Sequence, residues 1–212
     1  MQWDAWSPAP VQPLLAGVEA PWYVAAGWAI DLFLGGQRRE HEDLELAAPA
    51  ARFGELVDAL GGFEVFVISP DPNAPGATLA TPFAEAGGLL DETHQTWVLD
   101  RAAGVWRFDV FREPSDGGTW ICRRDESIRM PYKRLIERTA DGIPYARPEV
   151  VLLFKAKHAR PKDDGDLAAA LPLLDAERRR WLAGALELVH PGHRWLDVVS
   201  FAAGNPGERG DR

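Results

Sequence analysis

In Glu42-Asp43-Leu44-Glu45-Leu46 two carboxylates stand two residues apart, interleaved with leucines. On a strand, Asp43 and Glu45 would leave one face while Leu44 and Leu46 enter the core. One cation could then contact both. Mg²⁺ takes oxygen ligands at about 2.0–2.1 Å and is commonly held by one or two carboxylates plus nucleotide phosphates, so the pair reads as a half-site that substrate completes. Acidic-apolar-acidic triplets also occur on ordinary solvated strands, so context decides. Upstream, Gly27-Trp28 lies between a strand pattern and a helix pattern, where glycine permits a tight turn and the free N–H groups of the helix start can receive a phosphate. A mere turn residue is the plainer reading. Arg39 and His41, between the turn and the carboxylates, either neutralise phosphate charge or are exposed loop residues.

Two further segments carry candidate chemistry. In Trp106-Arg107-Phe108-Asp109-Val110-Phe111, alternation sets Arg107, Asp109 and Phe111 opposite Trp106, Phe108 and Val110. A carboxylate amid large apolar residues is costly to bury unpaired, so a metal or a substrate hydroxyl accounts for Asp109 better than solvent does. Glu113 is a weaker substitute for Asp109, since its position just before Pro114 reads as a loop. Lys155-Ala156-Lys157-His158-Ala159-Arg160-Pro161-Lys162-Asp163 is the dense basic cluster of an acidic chain, and Lys157 and Arg160 read as a solvated helix face. Asp163, Asp164 and Asp166 read as an N-terminal helix charge cluster, with the lining of a pocket for a cationic acceptor as the alternative. Cys122, His94, His190 and His193 read as structural, Trp28 and Trp106 as core, and Trp181 and Trp195 as anchors of the helices.

These residues need a frame. Residues 1–20, with three prolines, read as a loosely packed lead-in with a short helix near Leu14 to Val18. Trp22 to Ala26 reads as a strand, Trp28 to Leu34 as a helix, Glu42 to Ala48 as a half-exposed strand, Pro49 to Leu60 as a helix and Phe63 to Ile68 as a strand. Ser69 to Gly88 reads as an irregular excursion. Thr96 to Asp100 and Val105 to Phe111 form a predicted hairpin around Arg101-Ala102-Ala103-Gly104, with a further strand at Thr119 to Arg123. Helical patterns then cover Glu149 to Ala159, Asp163 to Leu173, Ala176 to Val189 and His193 to Phe201. The expected organisation is a lead-in at 1–20, an α/β domain at 21–145, a helical subdomain at 146–203 and a disordered tail at 204–212.

The order Gly27-Trp28-Ala29-Ile30-Asp31, then Arg39-Glu40-His41-Glu42-Asp43-Leu44-Glu45, resembles the signature of the DNA polymerase beta-type nucleotidyltransferase superfamily. The likeness is to the branch of aminoglycoside 2''- and lincosamide adenylyltransferases and their bacterial relatives, and runs with decreasing strength from about Trp22 to about Leu196. It implies an α+β fold, a mixed β-sheet flanked by helices with a C-terminal helical subdomain. It also implies Mg²⁺ on Asp43 and Glu45, and a triphosphate, that of ATP in the simplest case, at Gly27 and Trp28 with Arg39, His41, Lys155 and Lys162 around it. Asp109 becomes the third carboxylate, general base and second-metal ligand. The implied reaction moves AMP to a hydroxyl of a small acceptor such as an aminoglycoside or lincosamide. Two positions depart from the family: Ala26 replaces the first glycine of the turn, and Glu45 is longer than the commoner Asp. A noncatalytic nucleotide-binding or regulatory protein is therefore the rival expectation, and a protein adenylyltransferase a third.

Composition narrows the partners. A formal net charge of -9 argues against nucleic acid, whose binding rests on lysines and arginines that release counterions. No segment has the length of uncharged residues that spans a bilayer, and no secretory leader pattern opens the chain, so a cytoplasmic protein without a membrane partner is expected. With 212 residues, 46% of them hydrophobic, the chain can bury a sizeable core.

Overall fold

The computed structural model describes residues 1–203, with side chains through Ser200. The expected disordered tail at 204–212 lies outside the described residues. In chain order the elements are β1 (Gln2–Trp3), α1 (Val11–Leu14), β2 (Tyr23–Val24), α2 (Ala26–Phe33), β3 (Glu45–Pro49), α3 (Phe53–Ala59), β4 (Glu64–Pro70) and β5 (Thr78–Pro82). There follow α4 (Leu89–Glu92), β6 (Gln95–Asp100), β7 (Val105–Glu113), β8 (Ser115–Asp116), β9 (Thr119–Ile121), β10 (Arg129–Pro131), α5 (Tyr132–Leu135), β11 (Ile136–Arg138) and β12 (Pro144–Ala146). Helices α6 (Pro148–Lys155), α7 (Pro161–Ala170), α8 (Ala176–Val189) and α9 (Trp195–Ala203) complete the described chain.

The main sheet has the order β11-β12-β2-β3-β7-β6-β4-β5, with β1 added beside β7, and a small sheet β10-β9-β8 stands apart. It is mixed: β3 and β7 run parallel, as do β2 and β12, while β2 is antiparallel to β3 and β6 to β7. This is the α+β architecture expected, a mixed sheet flanked by helices with a helical C-terminal region. Strand β7 is its spine. Phe108 and Val110 point from it into the core with Leu44 and Leu46, each fully buried. The hairpin β6-β7 turns at Gly104, whose φ of 70° requires glycine's freedom.

Four expectations change. The first twenty residues are not loose: β1 pairs with β7, Trp3 packs edge-on against Trp97 at 5.3 Å, and Val11 and Leu15 are buried. The four-residue spacing of Val11 and Leu15 puts both on one face, and the helix therefore forms a turn earlier than Leu14 to Val18. Residues 78–82 of the irregular excursion form β5, an edge strand antiparallel to β4, with Pro82 tolerated at its end. The expected strand from Glu42 begins only at Glu45, because two-residue β2 gives way to α2 at Ala26 and leaves residues 42–44 outside the regular ladder. Finally, the unassigned stretch before Pro148 supplies β11 and β12, and β12 lies beside β2 through Tyr145 and Val24.

Candidate active site

The parallel register of β3 and β7 sets Glu45 directly opposite Asp109. Alternation then carries one face of the sheet from Glu45 to Ala47 and from Asp109 through Phe111 to Glu113, with Tyr23 opposite Ala47 on β2. Over this face lies a cleft of about 670 Å³, a volume suited to a small-molecule ligand. Gly27, Arg39, His41 and Asp43 line its near side, Lys155, Arg160 and Lys162 its helical side, and Trp120, Arg123 and Phe154 its inner end.

Glu45 is half-buried as the first residue of β3, whereas Asp43 is exposed in the loop before it. The two carboxylates thus share the cleft without sharing a regular strand. Extended pairing nevertheless reaches Leu44, whose carbonyl accepts from the Asp109 N–H at 2.8 Å. Burial pushes the Glu45 carboxyl up to about 7, the Asp43 charge adds to that, and Lys155, Arg123 and Lys162 oppose it. Asp109 is 5% exposed. Burial drives it up to about 8, against a hydrogen bond from Gln95 and together with the charges of Glu45 and Asp43. Gln95 Nε2 donates to Asp109 Oδ2 at 2.6 Å, while Asp109 Oδ1 is buried with no hydrogen-bond partner.

The turn after β2 depends on two residues. Ala26 has φ of 47°, the left-handed region that costs an L-residue roughly 1–2 kcal/mol. At Gly27 a Cβ would meet the Arg39 guanidinium and would lie 2.8 Å from the His41 ring, so glycine is needed for those side chains to close over the turn. His41 is held twice: its Nε2 lies 2.7 Å from Asp31 Oδ2, and its ring stacks on Trp28 with centroids 4.4 Å apart. Trp28 therefore supports His41 with its side chain and, half-buried, also packs against the core.

On the helical side, Lys155 Nζ lies 2.9 Å from both Asp163 Oδ1 and Asp166 Oδ2. Asp163 also caps α7, accepting from the Arg160 N–H at 3.0 Å and from Arg160 Nε at 2.9 Å. Burial would raise the Asp163 carboxyl, yet the Arg160 and Lys155 hydrogen bonds hold it down at about 2. Asp163 and Asp166 thus form a buried clamp for Lys155, while Asp164 pairs with Arg194. Lys162 and Lys157 are exposed, and Lys162 lines the cleft. Arg160, expected to be merely solvated, is the capping partner of Asp163.

Four contributors lie beyond the reach of the sequence patterns. Gln95 and Asp31 hold Asp109 and His41, and no spacing rule marks a partner from a neighbouring strand or the preceding helix. Arg123 stands at the end of a short strand pattern with no spacing that distinguishes it. Glu113 ends β7 rather than lying in a loop, buried because Trp120 Nε1 donates to its Oε2 at 3.3 Å and Arg123 sits 3.3 Å from its Oε1. Cys122 is buried as expected, just beyond the end of β9.

Residues 9–73 match the family model described as aminoglycoside-2''-adenylyltransferase. A 45-residue stretch is 47% identical to 2''-aminoglycoside nucleotidyltransferases of Escherichia coli and Klebsiella pneumoniae, which is 20% of this chain and 25% of each relative. The chain thus spans about a quarter of the length of the curated relatives it matches. The crystal structure of ANT(2")-Ia in complex with adenylyl-2"-tobramycin shares the fold, with a TM-score of 0.50 and 19% identity over 85% of this chain and 97% of that one. Over residues 9–73, which carry the Gly27 turn and the Asp43 and Glu45 carboxylates, the chain is thus similar to the aminoglycoside-2''-adenylyltransferases, a branch of the DNA polymerase beta-type nucleotidyltransferases.

Proposed function

We propose that the protein transfers a nucleoside monophosphate, AMP from ATP in the simplest case, to a hydroxyl of a small-molecule acceptor, with pyrophosphate leaving. The observation that carries this reading is the facing pair Glu45 and Asp109 on the floor of a cleft entered from the Gly27 turn and the basic start of α7. The donor set fits a hard divalent cation: every candidate ligand is a carboxylate oxygen, burial and mutual repulsion hold two of them toward protonation, and Asp109 Oδ1 is orphaned. Among the described residues, no group of three or more His, Cys, Asp and Glu side chains is arranged to hold a metal by itself. Asp43 and Glu45 would hold Mg²⁺ together with substrate phosphates, with Asp109 beside them. Bound there, Mg²⁺ would supply charge neutralisation for the triphosphate.

The protein's own groups do the rest. The N–H groups of Gly27 and Trp28 bind phosphate oxygens, with Arg39, His41, Lys155 and Lys162 supplying positive charge. The buried clamp of Asp163 and Asp166 fixes Lys155, so its ammonium is positioned before substrate arrives. Asp109, desolvated and oriented by Gln95, takes the proton of the acceptor hydroxyl as that oxygen attacks the α-phosphorus. The acceptor class suggested by the relatives is an antibiotic of the aminoglycoside or lincosamide kind.

The test is mass spectrometry of hydroxyl acceptors incubated with the protein, ATP and Mg²⁺, seeking the nucleotidyl mass increment. Asp109→Asn should lower the transfer rate by about 10²–10⁴, a larger loss than in Mg²⁺-independent ATP affinity, which should be spared. Transfer at the wild-type rate in that variant would remove Asp109 from the chemistry.

A further inference from the structure

Asp163 and Asp166 stand three residues apart on α7 and so share one side of the helix. Their surroundings differ. Asp163 caps the helix, takes Arg160 and holds Lys155 through Oδ1. One turn further in, Asp166 Oδ2 lies 2.9 Å from Lys155 Nζ on α6 and 3.4 Å from Arg39 Nη2 in the segment between α2 and β3. A single oxygen thereby joins a cation from the helical side of the cleft to one from the sheet side.

The bridge is not a surface pair. The side chains of Asp166 and Lys155 are each 8% exposed and that of Arg39 is 26% exposed. Arg39 and Lys155 line the cleft, whereas Asp166 stands behind them. The Arg39 guanidinium also lies against the Gly27 turn, where a Cβ on Gly27 would run into Nη2. Lys155 has Asp163 as a second partner, but among the described residues Arg39 meets no carboxylate other than Asp166. Three cations, Arg39, Lys155 and Arg160, thus share two carboxylates, and one positive charge is left in excess beside the turn. Without Asp166, Arg39 and Lys155 would repel each other in a poorly solvated place.

Resting on the nucleotidyltransferase reading, we infer that Asp166 is the positioning residue of the phosphate site: it holds Arg39 beside Lys155, so that the two walls of the cleft present one two-cation seat to the triphosphate. Asp166 touches no phosphate itself. It acts through Arg39, since Asp163 retains Lys155 when Asp166 is neutralised. Removing the Asp166 charge has two opposed effects: an anion is lost from the neighbourhood of the phosphates, which favours binding, and the guanidinium loses its anchor, which opposes it. Asp166 stands behind two cations that screen it from the phosphates, so the loss of the anchor is the larger effect.

Calorimetry of the full chain with tripolyphosphate, adenosine and ATP separates these effects. Tripolyphosphate without Mg²⁺ reports the phosphate seat, and adenosine reports the rest of the nucleotide. Asp166→Asn should weaken tripolyphosphate and ATP by a similar factor, about tenfold for one charge-assisted hydrogen bond, and leave adenosine nearly unchanged. In turnover it should raise KM for ATP more than it lowers kcat, the mark of an interaction made in ground and transition state alike. Asp166→Glu, which restores the carboxylate, should recover part of the loss. In an Arg39→Gln background Asp166→Asn should add little, because the guanidinium it anchors is gone. Arg39→Gln alone changes a partly exposed side chain and keeps the test decisive where Asp166→Asn fails to fold: it should weaken tripolyphosphate at least as much, and unchanged affinity would overturn the inference. Unchanged or tighter tripolyphosphate binding in a folded Asp166→Asn protein would overturn it too, the tighter case making the carboxylate a competitor of phosphate, and so would full additivity in the double variant. Tripolyphosphate binding without nucleotide transfer would sink the transfer reading and leave the seat standing, whereas no tripolyphosphate binding by the wild type would overturn both.

Discussion

Cation binding in the cleft should release protons, and the number is set by two buried carboxyls. Glu45 lies at about 7 and Asp109 at about 8, each raised first by burial. A group that must be deprotonated for binding lowers apparent affinity about tenfold for each pH unit below its pKa. From pH 8.5 to 6, Asp109 contributes about a hundredfold and Glu45 about tenfold, so affinity should fall roughly a thousandfold. Mn²⁺ titrated without nucleotide, followed by water-proton relaxation, avoids the nucleotide's own titration. Calorimetry at pH 6 in buffers of different ionisation enthalpy should count about two protons released. Asp109→Asn should remove the larger part of the pH dependence. A flat profile, or one unchanged in Asp109→Asn, would mean that the cation binds elsewhere. The same shifts set the stability of the metal-free protein. Both groups hold protons more tightly folded than unfolded, so their contribution is present below about pH 4 and is lost as pH rises through 7 to 8.

Two substitutions test how the site is held. Ala26→Gly should stabilise the protein by about 0.5–1 kcal/mol, since relief of the left-handed alanine exceeds the added chain entropy, whereas Ala26→Val should destabilise it. Thermal melting checks both, and a lower midpoint for the glycine variant would contradict the strained turn. Lys155→Met leaves Asp163 with Arg160 alone and Asp166 with Arg39 alone and should cost about 1–3 kcal/mol, read by chemical denaturation. A loss under about 1 kcal/mol would show that the clamp holds nothing.

The site is legible in the sequence where chemistry and local period coincide. Gly27-Trp28, Asp43-Leu44-Glu45 and the alternation around Asp109 mark residues that the fold brings to one cleft, and the hairpin that carries Asp109 follows from Gly104 between two β-favouring runs. What escapes is non-local. Strand β12 is three residues long and owes its place to one partner residue on β2, and β5 persists among prolines and alanines because β4 offers a full ladder. The pairing of Lys155 with Asp163 and Asp166 requires α6 and α7 to meet at an angle that no pattern within either helix encodes. Arg123 and Glu113 are likewise joined by the approach of the small sheet to β7.

The most direct test is nucleotide turnover in Asp43→Asn. Asp43 is exposed beside the cleft and contributes charge rather than packing, so the variant should fold as the wild type does. With ATP, Mg²⁺ and an active acceptor, pyrophosphate release should fall to background, and the Mg²⁺-dependent part of ATP binding should disappear from calorimetry. Undiminished pyrophosphate release from a well-folded Asp43→Asn protein would contradict a carboxylate-held metal at this site.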